Sequence, residues 1–370
     1  MATKSLAIKY RPQTFEDVTE QESIKIILQQ QLESGEVKNA YLFCGGAGTG
    51  KTTCARIFAN EINHGEGNPI EMDAASNSGV DDVRNIIQQA KTKSLDSEYK
   101  VFIIDECHSI SNTGWQAFLK LIEEPPAKSI FIFCTTDPQK IPKTILSRVQ
   151  RYDFHRISQQ GIVTRLKWIC DVETKNIMED MGDQDSATDI EWAREQHLPI
   201  VEYDIDALEY IAKIADGGMR DAITLMDKCL AYSTELTAEN VIEALGIADY
   251  DFYFDLTDAI FSGELDSAVE IIEMTYRSGK DLKNLVKGYC RFLIDLCKYE
   301  VGVDWQYISI PKTDEYVKLL KSYVVNEAMD PRTLLSAFVE LDSKMRYSAS
   351  PLCDVEVVVL LLGFGGDERC

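Results

Sequence analysis

No two of the ten cysteines are spaced Cys-x-x-Cys, so the chain writes neither a zinc knuckle nor a dithiol redox pair. Several cysteines lie inside apolar runs, such as Phe43-Cys44 and Phe133-Cys134. There a reduced thiol behaves as a small hydrophobe, and buried thiols in a reducing compartment are expected. No apolar run approaches the roughly 20 residues that span a bilayer, and Met1-Ala2-Thr3-Lys4 opens no signal-like apolar stretch. A soluble intracellular protein with no membrane contact is expected. Prolines number only 10 in 370 residues while apolar residues make up 45%, which excludes general disorder. Positive charge is scarce: 38 Lys and Arg face 61 Asp and Glu, a net of −23. Taken whole, that deficit argues against nucleic acid, whose phosphates call for a basic face.

The deficit is not evenly spread. Residues 1–160 hold 18 basic and 20 acidic residues, a net of −2, whereas residues 161–370 hold 20 and 41, a net of −21. Residues 171–210 alone carry 13 acids against Lys175 and Arg194, and their middle, 180–189, reads as a solvated loop or insertion. The first part alternates short apolar runs with amphipathic stretches. Strands are predicted over 40–44, 69–73, 100–105, 129–135 and 150–154, with helices over 80–90 and 113–123 between them. That alternation predicts an α/β fold, a parallel sheet between helices. After Ser158 the strand signals fade. Leu282, Leu285, Val286, Tyr289, Phe292, Leu293 and Leu296 recur at helical spacing, and 326–362 continue in kind. The second part is predicted to be all-helical, a small domain to about residue 245 and a larger bundle after it.

Gly45-Gly46-Ala47-Gly48-Thr49-Gly50-Lys51-Thr52 fits G-x-x-x-x-G-K-[ST] in full, between a predicted strand and a helix over 52–60 that begins Thr52-Thr53. The glycines let backbone N–H groups turn toward phosphates, and the helix terminus adds positive potential. Lys51 supplies a point charge to the β- and γ-phosphates, and the Thr52 hydroxyl suits Mg²⁺. Val101-Phe-Ile-Ile-Asp105-Glu106 is an apolar strand ending in two acids. Asp105 fits the role of magnesium holder, and Glu106 that of the base polarising an attacking water. Together with the phosphate loop this predicts ATP hydrolysis. The tetrad Asp105-Glu-Cys-His108 is also similar to the box of some helicases, but no second set of strands follows for a second motor domain.

Lys9-Tyr-Arg-Pro-Gln-Thr-Phe-Glu-Asp-Val18, the phosphate loop, Asp73-Ala-Ala-Ser76, Asp105-Glu106, Leu121-Ile-Glu-Glu-Pro-Pro126, Thr135-Thr-Asp-Pro-Gln-Lys140, Ile145-Leu-Ser-Arg148 and Gly218-Met-Arg-Asp-Ala222 follow one another in order. This series resembles the ATPase subunit of bacterial DNA-polymerase clamp loaders, the DnaX (gamma/tau) family of AAA+ proteins. The resemblance implies an AAA+ core over 1–158, a helical lid over 159–245 with an acidic insertion at about 171–200, and a helical collar for oligomerisation over 246–370. It places Arg11, Pro12 and Val18 near the adenine and Thr136 as sensor of the γ-phosphate. Arg148 becomes an arginine finger for the neighbouring subunit's site, and Arg220 a second sensor coupling ATP to the lid. It implies ATP and Mg²⁺ as ligands. The implied partners are other loader subunits in an oligomer, a pentamer by the family's pattern, together with a sliding clamp and primer–template DNA, all in a bacterial or phage-infected cytoplasm. DNA would run against residues 1–158, with Asn77, Ser78, Gly79 and Arg84 at a helix start as phosphate contacts. Lys93, Lys100, Lys140 and Lys143 are supplementary candidates.

The family's zinc module is reduced here to Asn63-His-Gly-Glu-Gly-Asn-Pro69, without cysteine, so no zinc is expected. Val149 stands where a cysteine commonly follows the finger, and the chain ends near the collar, which suggests a compact, phage-like version. Two rivals are a branch-migration motor of the same class and a non-catalytic nucleotide-dependent scaffold. The presence of Glu106, Thr136 and Arg148 weighs against the scaffold.

Overall fold

The computed structural model describes residues 5–76, 79–92, 94, 96–180, 200–245, 250–310, 314–325, 330–345 and 348–364. They form two compact units, one of Met1–Val201 with Ile211–Ala231 and one of Glu202–Tyr210 with Tyr232–Cys370.

In the first unit, helices α1 (Leu6–Lys9) and α2 (Glu22–Ser34) precede strand β1 (Ala40–Gly45), which feeds helix α3 (Lys51–Ile62). Then follow β2 (Ile70–Asp73), α4 (Val80–Ala90), β3 (Lys100–Asp105), α5 (Asn112–Glu123), β4 (Ser129–Thr135), α6 (Lys143–Leu146), β5 (Gln150–Phe154) and α7 (Gln159–Asp180). All five strands are parallel, in the order β2-β3-β4-β1-β5. The central strands are continuous apolar runs because both sheet faces are covered. Alternate residues supply the two faces. Leu42, Phe102, Ile104, Phe131 and Phe133 pack on Val83, Ile86, Trp115 and Phe118 of α4 and α5. Tyr41, Phe43, Ile103, Ile130 and Ile132 pack on Leu28, Ile57 and Phe58 of α2 and α3. The Phe118 and Phe133 rings meet edge to face at 5.3 Å. On the edge strand β5 the pattern thins to alternation, with Tyr152 and Phe154 inward.

The second unit is built on α10 (Ala238–Leu245), α11 (Tyr250–Phe261), α12 (Leu265–Arg277), α13 (Leu282–Glu300), α14 (Asp314–Val325), α15 (Pro331–Met345) and α16 (Pro351–Phe364). All seven apolar positions read from the α13 periodicity are buried in its core, with Tyr253, Phe254 and Phe338. Helices α8 (Ile205–Ile214) and α9 (Met219–Tyr232) come earlier in the chain. The expectation of an all-helical second part needs one correction. Strands β6 (Glu202–Tyr203) and β7 (Glu235–Leu236) form a parallel two-residue ladder, too short to leave a periodicity in the sequence. No helix among the described residues is long and apolar enough to cross a membrane.

Candidate nucleotide-binding site

The strand order puts β4 between β1 and β3, so the carboxyl ends of all three open on one place, where ligands of open α/β sheets bind. From β1 the chain turns through Gly45 to Gly50 into α3. Gly48 and Gly50 take φ of +69° and +100°, backbone that favours glycine. Lys51 is 5% exposed, and its ammonium donates to the carbonyls of Gly45 (2.9 Å) and Gly46 (2.6 Å). Burial lowers its pKa, an effect that nearby Glu106 and Asp105 oppose. The next residue, Thr52, donates its hydroxyl to Asp105 Oδ2 at 2.7 Å. The other Asp105 oxygen, Oδ1, accepts the Glu106 N–H at 3.0 Å. Glu106 itself has φ of +45°, a left-handed conformation rare for a side chain of its kind. From the end of β4, Thr136 Oγ1 donates to Glu106 Oε2 at 3.0 Å.

These groups open on a cleft of about 280 Å³. It brings together Arg11, Pro12, Val18, Ala47, Gly48, Thr49, Gly50, Lys51, Thr52, Thr53, Asp105, Glu106 and Arg220. Gly45 and Gly46 lead into it, and Thr136 reaches it through Glu106. The start of α9 closes one side: Met219 N–H donates to Gly48 O at 3.0 Å. A Cβ on Gly48 would stand 3.0 Å from Gly218 Cα, so two glycines permit that approach. Arg220 has no carboxylate partner among the described residues and is available to an anion in the cleft. Motif reading missed Tyr10, Ile157, Arg165 and Ile223, which also line the cleft. Arg165 stacks 4.2 Å over Trp168 and donates to Tyr10 O at 3.1 Å, fixing the segment that carries Arg11 and Pro12. Burial pushes its pKa down, with Asp17 opposing.

Arg148 does not line this cleft. It is half-exposed, with Nε 2.9 Å and Nη2 2.8 Å from Glu123 Oε1, and Nη1 donates to Thr144 O at 2.7 Å. Of the DNA candidates, Asn77, Ser78 and Lys93 lie outside the described residues. Gly79 caps α4, whose first turn already carries Asp81 and Asp82, and Arg84 is paired with Asp81 at 2.9 Å.

Residues 61–158 match a family model described as DNA polymerase III, delta subunit. Residues 199–235 match one described as DNA polymerase III clamp loader subunit, ATPase lid domain. The DNA polymerase III subunit tau of Bacillus subtilis is 32% identical over 383 residues, covering 97% of this chain. The chain is DnaX-like. It is also similar to the DNA polymerase III subunit tau of Escherichia coli, at 30% identity over 77% of this chain. This DnaX-like chain spans 63% of the first relative and 44% of the second. With its sheet order and the lid match, its fold is an AAA+ α/β domain followed by helices. A looser likeness, TM-score 0.47 at 18% identity, relates it to the Thermotoga maritima RuvB Holliday junction branch migration motor, covering 68% of this chain and 79% of that one.

Proposed function

We propose that this chain is the ATPase subunit of a sliding-clamp loader, which uses ATP to open a clamp and place it on primed DNA. The observation that carries the ATPase reading is the convergence of Lys51, Thr52, Asp105 and Glu106 at the carboxyl ends of β1 and β3. Lys51 releases the loop carbonyls and takes the β- and γ-phosphates. Thr52 and Asp105, already 2.7 Å apart, would hold a magnesium ion, which would supply positive charge to the phosphates. Glu106 accepts a proton from the water that attacks the γ-phosphorus as the bond to the β-phosphate oxygen breaks. Arg11, Pro12 and Val18 border the base, with Arg165 holding their segment in place. Thr136 senses the γ-phosphate, Arg220 binds it from the lid, and Arg148 serves the neighbouring subunit.

The division into a core over 1–158, a lid over 159–245 and a collar over 246–370 belongs to the same proposal. So do a pentameric loader in the bacterial cytoplasm and DNA contacts at Gly79 and Arg84. Arg84 must then leave Asp81 to meet a phosphate, a small cost for an exposed pair of about 0–1 kcal/mol. The test mixes the chain and its companion subunits with the cognate clamp and primed DNA and measures ATP turnover. Clamp and primed DNA together should stimulate it severalfold. Turnover indifferent to the clamp but raised by branched DNA would indicate a branch-migration motor instead.

A further inference from the structure

His108 follows the acid pair at one residue's remove, inside a short 3-10 turn, Cys107–Ser109, anchored by the fully buried Cys107. No role for it follows from the phosphate-loop chemistry above. Its Nδ1 lies 3.2 Å from Glu106 Oε2 and 3.2 Å from Thr135 Oγ1. A carboxylate oxygen only accepts, so this contact is favourable only when Nδ1 carries the proton. The Thr135 hydroxyl accepts the Asp137 N–H at 3.0 Å, so it too is held in place. One hydrogen-bond donor, Thr136, therefore reaches Glu106 Oε2. His108 Nδ1 stands 3.2 Å from the same oxygen as a charge contact and has its hydrogen bond with Thr135, and Oε1 has no partner among the described residues.

The two neighbours of Oε2 are not equivalent once nucleotide binds. A threonine hydroxyl has a single proton. When Thr136 gives it to the γ-phosphate, Glu106 loses that bond and keeps only His108. We propose that His108 is the positioning residue that holds Glu106 for catalysis, its Nδ1–H turning from Thr135 to the nearby Oε2 while Oε1 takes the proton of the attacking water. The inference rests on the reading of Glu106 as the base. Glu106 also has a left-handed backbone, φ +45°, of the kind that clusters at active sites.

The test uses the full chain assembled with its companion subunits. His108→Ala should lower kcat roughly 10- to 100-fold, the effect of letting a catalytic group drift by about 1 Å, with KM and ATP affinity unchanged. His108→Asn, whose side-chain amide places an N–H near the Nδ1 position, should restore kcat to within about threefold of the parent. An alanine variant with parental kcat overturns the proposal, as does an asparagine variant no better than alanine. Loss of ATP binding in the alanine variant also overturns it, since His108 would then be structural. Glu106→Gln separates the two readings: it should bind ATP without hydrolysing it. If it hydrolyses normally, the assignment of Glu106 as base fails, whatever His108 does.

Discussion

A thiol in an apolar wall is held in its neutral form, because burial disfavours the charged thiolate. Seven of the nine described cysteines are buried, and burial raises the pKa of Cys44 and Cys229 to about 11 and of Cys54 and Cys170 to about 12. A raised pKa keeps the unreactive protonated form, so at pH 8 a thiol of pKa about 11 is ionised about once in 10³. Alkylation of the native protein at pH 8 should therefore be fast at no more than Cys297, Cys353 and Cys370, and complete at all ten after denaturation, as counted by mass spectrometry. Fast reaction at Cys44 or Cys54 would mean the walls of the sheet are open. At this scale the phosphate-loop residues were legible because their motif fixes type, spacing and neighbours together. Arg165 and Ile157 were not, since they reach the cleft only through the path of α7 and the chain before it. The Glu123 partner of Arg148 lies 25 residues upstream and belongs to no pattern that links the two.

Strands and helices of the first unit were legible because a parallel sheet covered on both faces needs unbroken apolar runs, and those stand out from amphipathic helices. The β6–β7 ladder was not, because two residues cannot show a period. Elements also constrain each other where they meet, and Gly45 is such a point. It pairs with Phe154 of β5 at the exit of β1, with φ of +153°. A Cβ there would stand 2.4 Å from Phe154 O and 2.9 Å from Phe154 Cβ. Gly45→Ala should push β5 away from the mouth of the phosphate loop, costing about 1–3 kcal/mol in stability and weakening ATP binding at least tenfold. Gly35→Ala is the contrast: φ is +69° but nothing lies within 4 Å. It should cost only about 1 kcal/mol, the left-handed penalty, and leave ATP affinity unchanged. Thermal denaturation and nucleotide titration of both variants measure the difference. Equal ATP affinity in the two would remove the argument that the β1–β5 contact sets the loop.

Across the whole chain the −23 charge is less informative than its division, −2 over residues 1–160 and −21 over 161–370. The near-neutral first region leaves room for the proposed DNA contact on that part, and the acidic run centred on 180–189 lies outside the described residues apart from Asp180. The proposed dependence on assembly would enter through Arg148. Its guanidinium is not buried in its own cleft but spent on an exposed pair with Glu123, and such pairs are worth only about 0–1 kcal/mol. If Arg148 serves a neighbour's site as proposed, a bound triphosphate carrying several charges would compete well with one half-exposed carboxylate, and the arginine would transfer at little cost. In trans it would supply roughly 10³- to 10⁵-fold in hydrolysis rate. Arg148→Ala should accordingly bind ATP within about twofold of the parent, while Lys51→Ala should lose binding itself. The mixing experiment separates them further. Oligomers assembled from Arg148→Ala and Lys51→Ala chains hold hydrolysis-competent sites only where an intact Lys51 faces an intact Arg148. Such pairs arise when a Lys51→Ala chain lends its finger to an Arg148→Ala neighbour. The mixture should recover turnover that neither variant shows alone, rising and falling with the ratio of the two. Mixtures no more active than either variant by itself would place Arg148 in service of its own site, and the dependence of hydrolysis on assembly would go with it.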